Sequence, residues 1–314
     1  MADSSLQSGV GLNILWDMIN YDNKAWWRVF ASIRGTVVPA VIVRTAVLFG
    51  FTLVLVIYNK IAGGLGGELA TKLTLPRIEG LAHTILGVVL GLLIVFRTNS
   101  SYDRFWEGRK LWGAMVNTSR NLARSAAVFA GPAEDFARLI AAYVITVKRT
   151  LRSDKDLSEI DSLAPAEVIQ RAKEAGNPPS ILAYQLTEWV RQKRDEGKLD
   201  AILAAQFEER VGFLVDYQGG CERILKTPIP FVYAVHIKHL LFVYLVTLPF
   251  VLVPMIGWSA PLAVGIIAFG LLGIEDAGVE IEDPFGDDPN DLPLDDICNV
   301  ITRDTSAMAA EAKR

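Results

Sequence analysis

The residues of this 314-residue chain best placed to do chemistry are its acids near the C-terminus: between Glu275 and Asp304 stand 11 carboxylates against one base, Arg303. Carboxylates this dense repel one another unless a cation or a basic partner stands among them. Glu280, Asp283, Asp287, Asp288 and Asp291, interrupted by the turn residues Pro284 and Gly286, can offer several oxygens to a hard cation such as Ca²⁺. The spacing is not that of a helix–loop–helix calcium loop, and an acidic strand paired with basic segments accounts for the same residues. Asp287 to Asp291 also reads DDPND, the DDxxD pattern by which prenyl-transferring enzymes hold Mg²⁺-diphosphate. Those enzymes need a second acidic motif facing the first, and no other segment offers one.

Other candidates are sparser. His236 and His239 stand three apart with Lys238 between them, yet no nearby Cys or acid completes a metal set. All three lie in a strongly apolar stretch, where an ionisable side chain marks either a polar pathway or hydrogen bonding between helices. His83 stands near the start of another apolar stretch. Cys221 and Cys298 fit no metal or redox spacing and read as ordinary thiols. There is no Gly-rich phosphate loop and no nucleophile elbow.

Leu81 to Phe96 contains no Asp, Glu, Lys or Arg and runs into Arg97, Asp103, Arg104, Glu107, Arg109 and Lys110, so this helix passes from hydrocarbon into water. Ile85, Val89 and Leu93 recur every four residues and form one stripe, with Gly87 and Gly91 nearly opposite for close packing. A stripe of branched apolar side chains facing the axis of a ring of helices makes a constriction that excludes ions until it widens and wets. A stripe facing lipid or a core has the same pattern.

The elements that must position these groups are helices. A spanning helix needs about 20 mostly apolar residues, and four segments approach this: about 37–58, 81–96, 229–258 and 260–282. Arg44 interrupts the first. Pro249 and Pro254 are expected to kink or end the third. The fourth is apolar only to Ile274 and reaches spanning length only if it continues past Glu275. Between the second and third lies a block, 97–227, with 20 Lys/Arg and 18 Asp/Glu, whose apolar residues recur at three- and four-residue spacing. The class is therefore all-α, one unit over 1–314, with a helical cytosolic block and an acidic segment at 275–304.

Composition and flanks complete the reading. The net charge of −4 gives no signal for nucleic acid. Residues 1–23 contain Asp3, Asp17 and Asp22 and lack a basic-flanked apolar core, so the first hydrophobic helix is expected to serve as its own membrane signal. Lys24, Arg28, Arg34, Arg97, Arg104, Arg109, Lys110, Arg223 and Lys226 flank the spans and put both termini and the block in the cytosol of an inner, plasma-type membrane. Trp26, Trp27, Trp106, Trp112 and Trp258 are either interfacial anchors or packed between helices.

Three segments taken together resemble the bestrophin family, and its bacterial members in particular: FRTNSSYDRFWEGRKLWG (Phe96 to Gly113), IPFVYAVHIKHLLFVYLVTLPFVLV (Ile229 to Val253) and GVEIEDPFGDDPNDLPLDD (Gly278 to Asp296). The resemblance covers all four spans and the tail. It implies a homopentameric channel, four transmembrane helices per subunit, passing inorganic ions passively through one central pore in the lipid bilayer. Chloride is the first expectation for the ion. An acidic cytosolic face and an uncharged neck leave cation conduction as an alternative, and the Mg²⁺-diphosphate enzyme stands as another. The resemblance puts the family's three apolar neck rings at Ile85, Val89 and Leu93; a slip in register puts them at Val88, Leu92 and Phe96. It puts the cytosolic aperture at Lys198, next to Leu199. Eukaryotic members clasp Ca²⁺ at positions matching Glu280, Asp283, Asp288 and Asp291, with a backbone oxygen from the N-terminal segment. Here Pro289 and Asn290 replace acids of that run. Ca²⁺ binding is thus implied, and opening need not depend on it.

Overall fold

The computed structural model describes residues 26–76 and 78–311, and every regular element among them is helical. The order is α1 (Trp26–Phe30), α2 (Val38–Gly64), α3 (Gly67–Leu73), α4 (Gly80–Phe129), α5 (Glu134–Leu151), α6 (Ala166–Glu174), α7 (Pro178–Asp195), α8 (Ala201–Lys226), α9 (Phe231–Ile256), α10 (Ala260–Glu280) and α11 (Leu294–Glu311). The N-terminal oxygen expected in the clasp, and Lys24, lie outside the described residues.

Among the described residues, three helical stretches are long and apolar enough to cross a membrane: Val38–Gly64, Gly80–Phe129 and Phe231–Glu280. The third is bent back on itself. Its turn is Gly257–Ser259, where Gly257 takes a φ of 54°, in the left-handed region that favours glycine. After it α10 returns along α9, and Lys238 of α9 reaches Glu275 of α10 at 3.4 Å. Of the two outcomes expected of Pro249 and Pro254, ending the helix is not what they do: both sit inside α9, which runs to Ile256. In an apolar bundle, neighbouring helices and local backbone adjustment re-satisfy the groups a proline frees. α10 does continue past Glu275, and its 21 residues make a rod of about 31 Å at the usual helical rise.

The charged ends of these segments meet at one level. Arg44 of α2 pairs with Asp276 of α10 at 3.0 Å, Arg97 of α4 with Glu275 at 2.6 Å, and the Ile229 amide, just before α9, donates to Glu282 at 3.1 Å. The helical block and the tail therefore emerge on the same side.

α4 is one unbroken helix of 50 residues, about 75 Å long. Phe96–Arg97 is a change of surroundings within it rather than an element boundary. Its first half packs against α9 and α10, its second against α8 and α11. The core of the block is built on Trp112, Met115, Phe136, Ile140, Tyr143, Leu182, Leu186, Phe207 and Leu214. Trp112 is fully buried there and is no interfacial anchor, whereas Trp26, Trp27, Trp106 and Trp258 are half or more exposed.

Local signals start the helices of the block. Pro178 and Pro179 open α7, with Asn177 accepting from the Ser180 amide, and Asp200 accepts from the Leu203 amide to cap α8. Inside, the ammonium of Lys148 on α5 is buried and held at 2.7 Å by Asp295 of α11 and at 2.8 Å by Glu159. Burial acts to lower its pKa, and the hydrogen bonds it donates to Asp295 and Glu159 outweigh that, so the charge persists. The chain between α10 and α11 is locked onto α4 by Phe285: a Cβ on Gly108 would stand 3.0 Å from its ring.

Candidate functional site

The expected neck residues lie on the first half of α4, whose buried line is His83, Leu90, Ile94 and Arg97. Gly87 extends that line. A Cβ there would meet the Tyr244 hydroxyl at 3.0 Å, while Gly91 has nothing within 4 Å, so only one of the two glycines makes the expected close contact. Away from that line α4 is bare. Ile85 is 56% exposed and Val89 46%, while Leu93 is half-buried and packs against the apolar cluster that holds Tyr233, whose hydroxyl donates to the Leu93 carbonyl at 3.1 Å. Val88, Leu92 and Phe96 are exposed at 69%, 55% and 55%. At 3.6 residues per turn these last three lie nearly opposite the buried line, and the Ile85/Val89/Leu93 line is turned from them by roughly 60°.

The bare side of α4 continues below Phe96 in polar form. Asp103, Lys110, Asn117, Asn121 and Arg124 fall on it and are exposed. Among the described residues, no ion pair involves Lys110 or Arg124. One surface of one helix thus runs from apolar to charged, the order needed for a dry constriction opening into a wet vestibule.

Where the apolar bundle ends lies a charged layer that reading the sequence missed. Arg97 and Glu275 are each about 3% exposed and joined at 2.6 Å; Arg97 also reaches Glu282 at 3.4 Å, and Lys238 reaches Glu275 at 3.4 Å. Arg104 binds backbone carbonyls of Glu282, Ile224 and Thr227. These contacts fasten α4 to α8, α10 and the start of the tail. A signal was present, since Arg44, Lys238 and Glu275 are ionisable groups in apolar segments. Lys238 accordingly serves as a tie between helices, while His236 and His239 are exposed and bring no acid or thiol together.

The aperture residues part company. Lys198 is exposed and pairs with Glu196 at 3.0 Å. Leu199 is 2% exposed in the core of the block, so it cannot line an opening in this arrangement.

The acids behave as two sets. Asp287 and Asp295 pair with Arg152 at 3.0 and 2.7 Å, and Asp304 with Arg120 at 2.6 Å, so part of the tail is neutralised by bases, on α4 and just after α5. Asp291 turns inward instead: its Oδ2 accepts from the Asp288 amide at 2.8 Å, and its Oδ1 is buried without a partner. Burial, and then the charges of Asp288, Asp283 and Glu280, push its carboxyl up to about 7. Asn290 donates to Glu280 at 3.3 Å and to the Gly35 carbonyl at 3.1 Å, tying the cluster to the chain before α2. Among the described residues no three acids, histidines or cysteines converge as metal ligands. An orphaned, proton-seeking carboxylate oxygen in a field of three other acids nonetheless has the chemistry that a hard cation would satisfy. The DDPND pattern loses its diphosphate geometry here, since Asp287 faces Arg152 and Asp291 points into the core.

A family model described as Bacterial/Fungal Bestrophin protein matches residues 18–307. The voltage-dependent anion channel-forming protein sll1024 of Synechocystis is 39% identical over 286 residues, covering 88% of this chain and 90% of that one. The voltage-dependent anion channel-forming protein YneE of Escherichia coli K12 is 33% identical over 233 residues, covering 73% and 77%. Among solved structures, a bacterial Bestrophin homolog from Klebsiella pneumoniae superposes with a TM-score of 0.76 at 27% identity, covering 86% of this chain and 98% of that one.

Proposed function

We propose, from the premise that this chain belongs to the bacterial bestrophin family, that it forms a passive anion channel in which α4 lines a central pore. It is a membrane protein of channel type and not an enzyme. The observation that carries the pore reading is the bare apolar side of α4, whose only alternative in a lone subunit is lipid. Several copies, in a homopentamer, bring these sides together about one axis. Four crossings (α2, the first half of α4, α9 and α10) return the chain to the side it starts from, and the basic flanks of the spans support that side being the cytosol, beside the inner membrane.

The neck is formed by Ile85, Val89 and Leu93. The fuller exposure of Val88, Leu92 and Phe96 favours a second register, and alanine substitution separates them, because only axis-facing truncations widen and wet the throat. Below the neck, Lys110 and Arg124 raise the local anion concentration, and Lys198 does so at the cytosolic mouth. Asp103, on the same side of α4 and nearer the neck, favours a cation-selective reading. Recording from purified protein in a planar bilayer under asymmetric NaCl decides between them. A reversal potential near the chloride equilibrium value is expected; one near the sodium value assigns the channel to cations.

Ca²⁺, where present, would be held by Asp291 with Glu280, Asp283 and Asp288, and would relieve the repulsion among them. Calorimetry should show a Ca²⁺ binding heat that disappears in Asp288→Ala; absence of heat in the unsubstituted protein removes the clasp.

A further inference from the structure

Outside the pore surface, a groove of about 650 Å³ runs between α2 and α9, with Leu272 and Glu275 of α10 at its base. Val43, Val47 and Phe51 form one wall, and Leu241, Phe242 and Val246 the other. Its apolar walls are open, with Val43, Val47 and Phe242 each about two-thirds exposed. At its cytosolic end stand two cations, Arg44 and Lys238, whose side chains are 56% and 54% exposed. Neither is saturated. Arg44 gives only Nη1 to Asp276, so Nε and Nη2 have no partner among the described residues. The acid nearest Lys238 at 3.4 Å, Glu275, is already held by Arg97 at 2.6 Å.

We infer that this groove binds an acidic phospholipid of the cytosolic leaflet, one acyl chain lying between α2 and α9 and the headgroup phosphate bridging Arg44 and Lys238. The pairing follows from charge and position. A long apolar track ending in a guanidinium and an ammonium that each keep spare donors matches a molecule with a long apolar tail and a phosphate at one end. Both side chains have apolar stems that lie along the walls while their heads stay at the polar boundary. The inference rests on membrane insertion and not on conduction, so it stands or falls separately from the pore.

The test uses the full assembled protein in nanodiscs of phosphatidylcholine containing a minor fraction of phosphatidylglycerol, with lipid retention read by native mass spectrometry. Retained phosphatidylglycerol over phosphatidylcholine is expected. The Arg44→Gln/Lys238→Gln double variant should lose on the order of tenfold or more of that preference, since each near-surface cation contributes roughly fivefold. Val47→Trp, which fills the track and leaves both cations in place, should lose retention too; because Val47 is exposed, this variant keeps the fold. Equal retention in all three proteins overturns the proposal. So does displacement of the lipid by soluble glycerol phosphate, which would make the site one for free phosphate. Efficient oxidative cross-linking of Val43→Cys on one copy to Phe242→Cys on another, with no lipid retained, would assign the groove to a subunit contact and also overturn it.

Discussion

α5 and α2 are both apolar helices, yet α5 buries 13 of its 18 residues and α2 only 5 of its 27. The contrast holds for the halves of the molecule they belong to. In the helical block outside the membrane spans, water is the solvent, and apolarity reports burial. In the membrane bundle, lipid tails are as apolar as leucine, so apolarity does not separate the sides: the inward ones carry Val41, Leu90 and Ile94 together with small and polar residues. Thr45, Thr52, His83, Gly87, Arg97 and Glu275 face inward, while Ile42, Val43, Val54 and Val88 face outward. The bare surfaces belong to lipid, to other copies or to a lumen.

This contrast can be broken most sharply in the block. Phe136 is fully buried and stacks on Trp189 at 4.2 Å, so Phe136→Ala should cost about 3–5 kcal/mol. Val47→Ala, equally apolar but 66% exposed, should change stability by less than about 0.5 kcal/mol. Thermal unfolding in detergent compares them, and similar losses for the two would end the distinction.

Next in size is the charged layer. Glu275→Gln leaves buried Arg97 with only the longer 3.4 Å contact to Glu282 and should cost about 3 kcal/mol. Adding Arg97→Gln should restore much of that, because two neutral groups replace an unpaired charge. A double variant as unstable as the sum of both singles would show that the pair does not act as a unit.

A smaller effect concerns Asp291. Its folded pKa of about 7 lies above the ordinary carboxylate value of 3.8, so between those values the unfolded chain has released a proton that the folded chain keeps. Stability should therefore decline as pH rises from about 4 to 7 and level off above that. In EDTA the midpoint temperature should fall across this window in the unsubstituted protein and fall less in Asp291→Asn. Added Ca²⁺ should shrink the decline if the acids hold it.

The smallest effect is expected in the vestibule. Lys110→Gln should lower the chloride-to-sodium permeability ratio by at most roughly fivefold, the scale of one partly screened charge. Reversal potentials in asymmetric NaCl measure it, and an unchanged ratio would place Lys110 off the ion path.

The helical class, the presence of the apolar segments and the acidic tail were legible in the residues, because each depends on local composition and periodicity. What escaped was set by distant partners. Arg97 meets Glu275 across 178 positions, and nothing local announces that pairing. Leu199 looks like any loop leucine until α7 and α8 enclose it. Pro249 and Pro254 disfavour helix by their local chemistry, yet both sit within α9. Periodicity could propose a stripe on α4, yet two registers 60° apart share that pattern, and only packing shows which side is covered.

The central claim is that the bare side of α4 faces a conducting throat, and single-cysteine modification during bilayer recording tests it most directly. The native thiols are a quiet background: Cys221 and Cys298 are buried, and burial pushes both up to about 12, so little reactive thiolate forms. With Ile85→Cys or Val89→Cys, a charged methanethiosulfonate reagent should block the current almost completely. A protein that conducts yet shows no block at those two positions, nor at Val88→Cys or Leu92→Cys, would contradict the account.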